Sequence, residues 1–532
     1  MVAKKRILPE RTVKELIFPH ILLPAIEQNA HKPAVIDGDY RATWQEHLDR
    51  LGQLCAGLKS LGVNPADRFA VLALNGHAYL ELWHAAFMGA GVINPLNLRL
   101  APKELAYILE DSGTEVIFAD ATFAPLVAAA RAEMTEDTLR QVVLIGSGDV
   151  PHDITYEALL ASATPELPEE PDETDPVVLM YTGGTTGLPK GVLIEHRAEV
   201  LNLYHGMLTI PEIECESYLL QTPMFHAASM FGILGTPIFG ATAVIIPMFE
   251  PEAALTAIEQ HQVTHTLMVP TMIGMCMTAP GYKPERLASM QMMIYGASPM
   301  PTATLDKVLA DLPKLSLVQG YGMTEACSTA TLLLAEEHVP GSKRLSSVGK
   351  PVLGLQLSIQ DESGNKLGRG EIGEVCIRGG NLMREYWNKP EATAEVFAGG
   401  WYHTGDAGYQ DEDGFVFLVD RVKDMIVTGG ENVYSAEVES AISTHPAVAQ
   451  VAVIGIPDEK WGEAVHAVVV LNQDAEATEA DIIDHARAAI AGYKVPKSVE
   501  FRAEPLPLSG ALKVLKRDLR APYWEGKDKQ IG

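Results

Sequence analysis

The stretch Tyr181-Thr-Gly-Gly-Thr-Thr-Gly-Leu-Pro-Lys-Gly191 is the most informative in this chain of 532 residues. Gly183, Gly184 and Gly187 let the backbone approach a polyanion and turn several N–H groups toward it. The hydroxyls of Thr182, Thr185 and Thr186 add donors, and Lys190 adds charge. In outline this is a phosphate cradle. It is not a Walker A loop, because Pro189 stands before Lys190 and Gly191 follows where Ser or Thr would hold magnesium. The loop joins two β-prone runs, Val177–Tyr181 and Gly191–Ile194, and so reads as a strand–loop–strand hairpin rather than a helix N-terminus. Its bland reading is a flexible Gly/Thr hairpin.

Outward from the loop, short apolar runs alternate with amphipathic segments. Phe69–Leu74 precedes a helical stretch to Ala90, Val116–Phe118 precedes Ala121–Glu133, and Gln141–Ile145 follows. The same rhythm returns at Thr266–Val269, Met292–Tyr295 and Leu315–Gln319. Strands alternating with helix-length patterns predict βαβ units and a mostly parallel sheet covered on both faces. The expected fold is α/β, a large N-terminal body of two related subdomains. After about residue 345 short strands (Val352–Gln360, Gly373–Arg378, Phe415–Val419) are separated by turns such as Asp361-Glu-Ser-Gly-Asn365, which predicts a small antiparallel β-barrel. Beyond Arg421 the pattern is α+β. It comprises a helix around Ala436–Ser443, strands Gln450–Ile456 and Ala464–Leu471, a helix Glu479–Ile490 and a tail rich in Lys and Arg.

Composition narrows the function classes. With 41 Lys+Arg against 69 Asp+Glu the net charge is −28. An acidic chain is poorly suited to tracking a phosphate backbone, so nucleic acid is not an expected partner. Cys55, Cys215, Cys276, Cys327 and Cys376 are odd in number, widely spaced and form no CxxC pair, which points to buried free thiols and a cytoplasmic location. Lys4, Lys5 and Arg6 are followed by Pro9, Glu10, Arg11, Lys14 and Glu15, which is not a secretory pattern. From Ser217 to Phe249 there is no Asp, Glu, Lys or Arg. Pro223, Gly232, Gly235, Pro237, Gly240 and Pro247 break that stretch, so it reads as a short buried helix, a turn and a buried strand rather than a membrane span. Peripheral membrane contact stays open, as does the choice between monomer and homodimer.

Downstream of the glycine loop lie Tyr295-Gly-Ala-Ser-Pro299, Gln319-Gly-Tyr-Gly-Met-Thr-Glu325, Trp401-Tyr-His-Thr-Gly-Asp406, Asp420-Arg-Val-Lys-Asp424, Gly429-Gly-Glu-Asn432 and Leu512-Lys-Val-Leu-Lys516. In this order, over roughly residues 30 to 520, the set resembles the adenylate-forming superfamily. That superfamily includes acyl-CoA synthetases, adenylation domains of peptide synthetases, and luciferases. The resemblance implies ATP- and Mg²⁺-dependent activation of a carboxylic acid to an acyl-adenylate, followed by displacement of AMP by the thiol of coenzyme A. It also implies an N-terminal AMP- and acyl-binding domain over residues 1–419, a hinge at 420–423 and a small mobile C-terminal domain over 424–532.

Residue by residue, the resemblance places the β- and γ-phosphates on Thr182 to Lys190, and Mg²⁺ on Thr182 and Glu325, hard oxygen donors suited to that ion. Gly296, Ala297, Ser298, Pro299 and Tyr321 would frame the adenine, within the nucleotide-binding runs that also include Gln319, Gly320, Gly322 and Met323. Thr324 would donate to the α-phosphate, Asp406 would accept from the ribose hydroxyls, and Arg421 would add a ribose or phosphate contact. Lys513 would be the catalytic lysine, bringing two anions together. The family usually has Gly before this lysine, whereas here it is Leu512, and Lys516 is the fallback. Lys423 falls at the hinge. Gly429, Gly430 and Glu431 would line the pantetheine passage, with Trp461 and Lys494 near CoA. Standing alone, Asp406 reads as a turn residue, Tyr321 as core, Glu325 as a first-turn acid, Trp461 as half-buried and Lys494 as solvated.

His226, in Thr222-Pro-Met-Phe-His-Ala-Ala-Ser229, matches the position where CoA ligases of the superfamily carry a His, and where amino-acid-activating relatives carry an Asp. Its alternative is a core histidine. Met230, Phe231, Tyr295, Gly296 and Met323 would form an apolar acyl pocket with it, and no Arg or Lys there would pair a second carboxylate. The expected enzyme is therefore an acid–thiol ligase for an apolar monocarboxylate, medium- or long-chain fatty acid before aromatic. Alternatives are an aryl or phenylpropanoid acid–CoA ligase, an enzyme loading a carrier-protein thiol, or a binding protein without catalysis.

Overall fold

The computed structural model describes residues 16–182, 188–211, 214–298, 300–421, 424–428, 431–458, 460–508 and 514–525. The chain divides into two compact units: Met1–Ala330 with Val352–Leu355 and Gly379–Thr393, and Thr331–Pro351 with Gln356–Arg378 and Ala394–Gly532.

The first unit holds two largely parallel sheets, as the repeated alternation predicts. In one, Pro176–Thr182, Val92–Pro95, Arg68–Leu72, Val116–Asp120, Gln141–Ile145 and Ile154–Thr155 are parallel neighbours in that order. Lys190–Glu195 runs antiparallel to Pro176–Thr182, and Glu385–Tyr386 runs antiparallel to Lys190–Glu195. In the other, Ser316–Tyr321, Met292–Gly296, His265–Met268, Ser217–Leu220, Thr242–Ile245 and Pro33–Asp37 are parallel, with Tyr40–Thr43 antiparallel beyond them. Phe69, Ala70, Val71 and Leu72 are wholly buried, which is why that run is continuously apolar rather than alternating.

The uncharged stretch folds as strand Ser217–Leu220, a turn at Ala227–Ser229, helix Met230–Ile238 and strand Thr242–Ile245. Gly240 makes the reversal between the last two with φ +58°, and a Cβ there would lie 2.3 Å from Cγ of Asn29. No helix among the described residues is long and apolar enough to cross a membrane.

In the second unit the expected barrel is a four-stranded antiparallel sheet in the order Gln356–Gln360, Gly373–Arg378, Tyr402–Gln410, Val416–Arg421. Its turns follow the sequence. Asp361 Oδ1 accepts from the Ser363 and Asn365 amides, and Asp411 Oδ1 from those of Asp413 and Phe415. A further sheet places Glu431–Val433, Ile426–Thr428, Gly462–Leu471 and Val448–Asp458 side by side, with Ser498–Arg502 parallel to Gly462–Leu471. Helices Ser435–Ser443 and Glu479–Ala489 bury Val438, Ile442, Ile482 and Ala486 against Val453 and Val465. The Thr478 side chain caps the second helix and accepts from the Asp481 amide.

Two elements differ from the sequence reading. The half-buried run Ser498–Arg502 is a strand despite its polar residues, and the tail forms helix Lys516–Trp524 despite Pro522. Leu519 anchors that helix in a cluster with Ala452, Ile454, Val468 and Leu506. One buried leucine gives no periodicity to read.

Candidate active site

Thr182 ends one strand and Lys190 begins the next, and the two are paired across the ladder. The glycine loop thus spans a hairpin, although Gly183, Gly184, Thr185, Thr186 and Gly187 lie outside the described residues. A Cβ on Gly191 would sit 2.9 Å from Leu179 Cδ1 and 3.2 Å from Trp387 Cβ, so this position demands glycine for close packing. Tyr181 donates to Asp111 Oδ2 at 2.6 Å, while Trp387 Nε1 donates to the Asp111 carbonyl at 2.8 Å. Lys190 Nζ stands 4.9 Å from the ring centre of Tyr386, and the Tyr386 hydroxyl donates to Glu325 Oε1 at 2.8 Å.

The expected adenine frame lies at the carboxyl ends of two parallel strands, where open α/β sheets bind ligands. Tyr295 pairs with Gln319 and Gly296 with Gly320. A Cβ on Gly296 would lie 2.0 Å from the Gly320 oxygen, so only bare backbone fits and no side chain intrudes on this edge. Ala297 continues with φ +67°. Beyond Tyr321 the chain turns back on itself. A Cβ on Gly322 would meet the Ser328 oxygen at 2.0 Å, and the Ala330 amide donates to the Tyr321 carbonyl at 2.8 Å. Thr324 and Glu325 sit in a short 3₁₀ turn at this reversal, with Met323 before it. Ser298 is half-buried. Pro299 lies outside the described residues.

His226 is half-buried, and its Nδ1 accepts from the Ala228 amide at 3.2 Å, capping the turn Ala227–Ser229. The loop before it is clamped by residues the sequence reading missed. Asn75 Nδ2 donates to the Thr222 carbonyl at 3.1 Å, Asn75 Oδ1 accepts from the Met224 amide at 2.8 Å, and Trp83 Nε1 donates to the Met224 carbonyl at 3.1 Å. Behind them His84 bonds the Ile233 carbonyl at 3.0 Å and His47 at 2.8 Å. Burial pushes His47 down to about 4 and His84 to about 3. A small apolar void, about the size of one water molecule, lies among Cys215, Tyr218, Phe231, Phe239, His265 and Ile294. Of the expected acyl residues Phe231 lines it. Met230 and Tyr295 are fully buried in the surrounding core.

In the second unit Asp406 is buried on strand Tyr402–Gln410, opposite Arg421. The turn before it is braced. Glu374 accepts from the Gly405 amide at 2.9 Å and pairs with His403 Nδ1 at 2.7 Å, while Thr404 Oγ1 accepts from the Asp406 amide at 3.1 Å. Cys376 Sγ lies 3.4 Å from the same His403 nitrogen, and burial pushes this thiol up to about 12. Trp461 is 45% exposed, with Lys460 over its ring at 4.4 Å. Lys494 is held by both oxygens of Glu437 at 2.7 Å. Lys516 is engaged by Glu439 at 2.7 Å and donates to Ser435 Oγ at 2.6 Å. Lys423, Gly429, Gly430 and Lys513 lie outside the described residues, and of Arg421 and Glu431 only the backbone is described.

A family model for AMP-binding enzymes matches residues 24–387, and one for the AMP-binding enzyme C-terminal domain matches residues 437–513. The chain belongs to the AMP-binding enzyme family. It is similar to a feruloyl-CoA synthase of Amycolatopsis sp, 38% identical over 93% of this chain and 96% of that protein. It is also similar to the fatty acid–acyl-carrier-protein ligase ScoC of Streptomyces coeruleorubidus, 34% identical over 94% and 95%. Among solved structures, the Mycobacterium tuberculosis fatty acyl CoA synthetase superposes with a TM-score of 0.76 at 32% identity, covering 96% of this chain and 99% of that one. This AMP-binding enzyme is an AMP-forming acyl-CoA ligase.

The first unit's residues fit a nucleotide and a hard cation. The bare Gly296–Gly320 edge admits a flat ring, Lys190 is a cation at the end of the glycine loop, and Thr182 and Glu325 offer hard oxygens. Asn75, Trp83 and Tyr386 escaped notice because their partners lie far away in sequence. The nearest local signal is Asn75-Gly76, a polar break between a buried strand and a buried helix.

Proposed function

We propose that this ligase activates an apolar monocarboxylic acid, a medium- or long-chain fatty acid before an aryl acid, and passes the acyl group to coenzyme A. The observation that supports an apolar acid is the segment around His226, where Met224, Phe225 and Met230 are buried and the run Ser217–Phe249 has no Asp, Glu, Lys or Arg to meet a second charge. A substrate carboxylate oxygen attacks the α-phosphorus of ATP, the bond to the β-phosphate oxygen breaks, and pyrophosphate leaves. The CoA sulfur then attacks the acyl carbon of acyl-AMP, giving the thioester and AMP.

In this reading Thr182 to Lys190 hold the β- and γ-phosphates and counter the charge of the departing pyrophosphate. Thr182 and Glu325 hold Mg²⁺, which when bound neutralises phosphate charge. Gly296 to Pro299 and Tyr321 receive the adenine, Thr324 the α-phosphate, and Asp406 with Arg421 the ribose. Lys513 brings carboxylate and α-phosphate together. Residues 420–423 are the hinge, Gly429 to Glu431 the pantetheine passage, and Trp461 a contact for the CoA nucleotide. Lys494 reaches CoA only by leaving Glu437.

Pyrophosphate release across a panel of aliphatic and aryl acids, with ATP, Mg²⁺ and CoA, tests the reading. The highest kcat/KM is expected for aliphatic acids, and release of no pyrophosphate with any acid would refute it. A second reading, an aryl acid such as a hydroxycinnamate, is favoured by the 38% identity to a feruloyl-CoA synthase. The panel separates the two. Comparing free CoA with a phosphopantetheinyl carrier protein as acceptor separates both from carrier loading.

A further inference from the structure

Tyr386 stands between two groups of opposite charge that the proposed chemistry needs apart. Its hydroxyl donates to Glu325 Oε1 at 2.8 Å, and its ring faces Lys190 Nζ at 4.9 Å from the centroid. The residue is buried, with 6% of its surface exposed. Backbone pairing fixes it there. Tyr386 is in register with Val192, two positions after Lys190, in the antiparallel pair of Glu385–Tyr386 with Lys190–Glu195. Its amide donates to Thr393 Oγ1 at 3.0 Å.

The segment leading into Tyr386 also grips the turn that carries Glu325. The Met383 amide donates to the Glu325 carbonyl at 2.7 Å. Asn381 Nδ2 donates to the Ala326 carbonyl at 3.2 Å and to the Thr329 carbonyl at 2.9 Å. One short stretch, 381–387, therefore ties the strand after the glycine loop to the Thr324–Ala326 turn.

We infer that Tyr386 is a positioning residue that holds Lys190 and Glu325 apart and oriented, keeping the lysine for phosphate and the carboxylate for Mg²⁺. The inference rests on the reading above of Lys190 and Glu325. A lysine and a glutamate that contact the same side chain are free to turn toward each other unless that side chain engages each separately. Among the described residues no ion pair joins them. The ring's negative face attracts the ammonium, while the hydroxyl supplies a directional donor to the carboxylate. Groups set in place before the phosphates arrive need no rearrangement during the reaction. A tyrosine that only filled space would also bury its ring, but its hydroxyl would carry no dependence on Mg²⁺.

The test uses the full chain with Y386F, which keeps the ring and removes the donor, and Y386L, which removes both. Three readouts are compared: adenylation by pyrophosphate release over a range of Mg²⁺ concentrations, thioester formation from supplied acyl-AMP and CoA, and ATP binding by calorimetry at the same Mg²⁺ levels. In Y386F the Mg²⁺ requirement for both adenylation and ATP binding is expected to rise about tenfold, as for loss of a hydrogen bond to a charged group. Thioester formation from acyl-AMP is expected to stay within about twofold. Y386L is expected to lose adenylation further through a lower kcat, and Y386F is expected to add nothing in an E325Q background. Wild-type Mg²⁺ dependence in Y386F, or an equal loss in both half-reactions, overturns the inference. Should the wild type adenylate no acid, the proposed function fails by itself, and the Mg²⁺ dependence of ATP binding still decides on Tyr386.

Discussion

In the proposed function the first unit has a nucleotide side around Lys190 and Glu325 and an acyl side around His226, and the two are built in opposite ways. On the nucleotide side, side chains that bear charge are themselves held by side chains: Tyr386 spans Lys190 and Glu325. On the acyl side what is held is backbone, and the holders are neutral: the Asn75 amide grips Thr222 and Met224, and the Trp83 indole grips Met224. Even the histidines behind this wall are kept uncharged by burial. Charge placed beside an apolar substrate chain would have to be desolvated whenever that chain bound, whereas neutral bonds that are already satisfied cost nothing further. One side therefore supplies electrostatics and the other supplies shape.

If that division holds, replacing the charge that meets the reacting groups has the largest effect. Lys513→Ala is expected to slow adenylate formation by roughly 10²–10³-fold, in line with removal of one transition-state donor, and to leave thioester formation from supplied acyl-AMP nearly unchanged. Equal rates of pyrophosphate release in the two proteins would move the catalytic lysine elsewhere. Lys516 is a weak substitute, since Glu439 already engages it at 2.7 Å.

Next come the neutral clamps. Asn75→Ala strips two bonds from a buried loop and is expected to cost about 1–3 kcal/mol in denaturant unfolding. It should also flatten the preference across the acid panel while leaving the KM for ATP in place. Trp83→Phe removes the bond to Met224 and also part of a fully buried ring system, and is expected to show the same pattern at about 2–3 kcal/mol. An ATP defect without a change in acid preference would break the comparison.

The buried histidine pair predicts a pH effect whose sign is fixed by the direction of the shifts. His47 is lowered to about 4 and His84 to about 3, whereas the unfolded chain binds these protons near 6.5. Stability from the pair is therefore fully present above about pH 6.5 and is lost as pH falls toward 4, by up to ~1.4 kcal/mol per pH unit for each histidine. Chemical unfolding between pH 7 and 5 should show this slope, and H84Q should reduce it.

The smallest effect is expected at the half-exposed pair Lys494–Glu437, where Lys494→Gln should change stability by less than about 1 kcal/mol. A KM for CoA raised several-fold in the same variant would support its proposed contact with CoA.

Much of the frame was legible without coordinates. The strands flanking the glycine loop, the parallel order around Met292–Gly296 and Ser316–Tyr321, and the Asp361 and Asp411 turns all leave local signatures: apolar runs of strand length, or turn residues in sequence. The uncharged run from Ser217 to Phe249 was likewise readable as buried core, because its Gly and Pro residues cut it into pieces too short to span a bilayer. The clamps were not legible. Asn75 and Met224 are 149 residues apart, and Tyr386 and Glu325 are 61 apart. Neither pair has any periodicity to betray it, and Ser498–Arg502 became a strand only because Gly462–Leu471 offered an edge.

The sequence by itself determined the alternation of strands and helices, the family, and the residue types available for binding phosphate. Those features are written in short windows, where backbone propensity and hydrophobic period act. Only the tertiary structure decided that Tyr386 meets both Lys190 and Glu325, that Asn75 and Trp83 fix the loop before His226, and that Met230 and Tyr295 are fully buried. Such contacts depend on the register and packing of elements distant in the chain, and the free energy that selects them belongs to the assembled core.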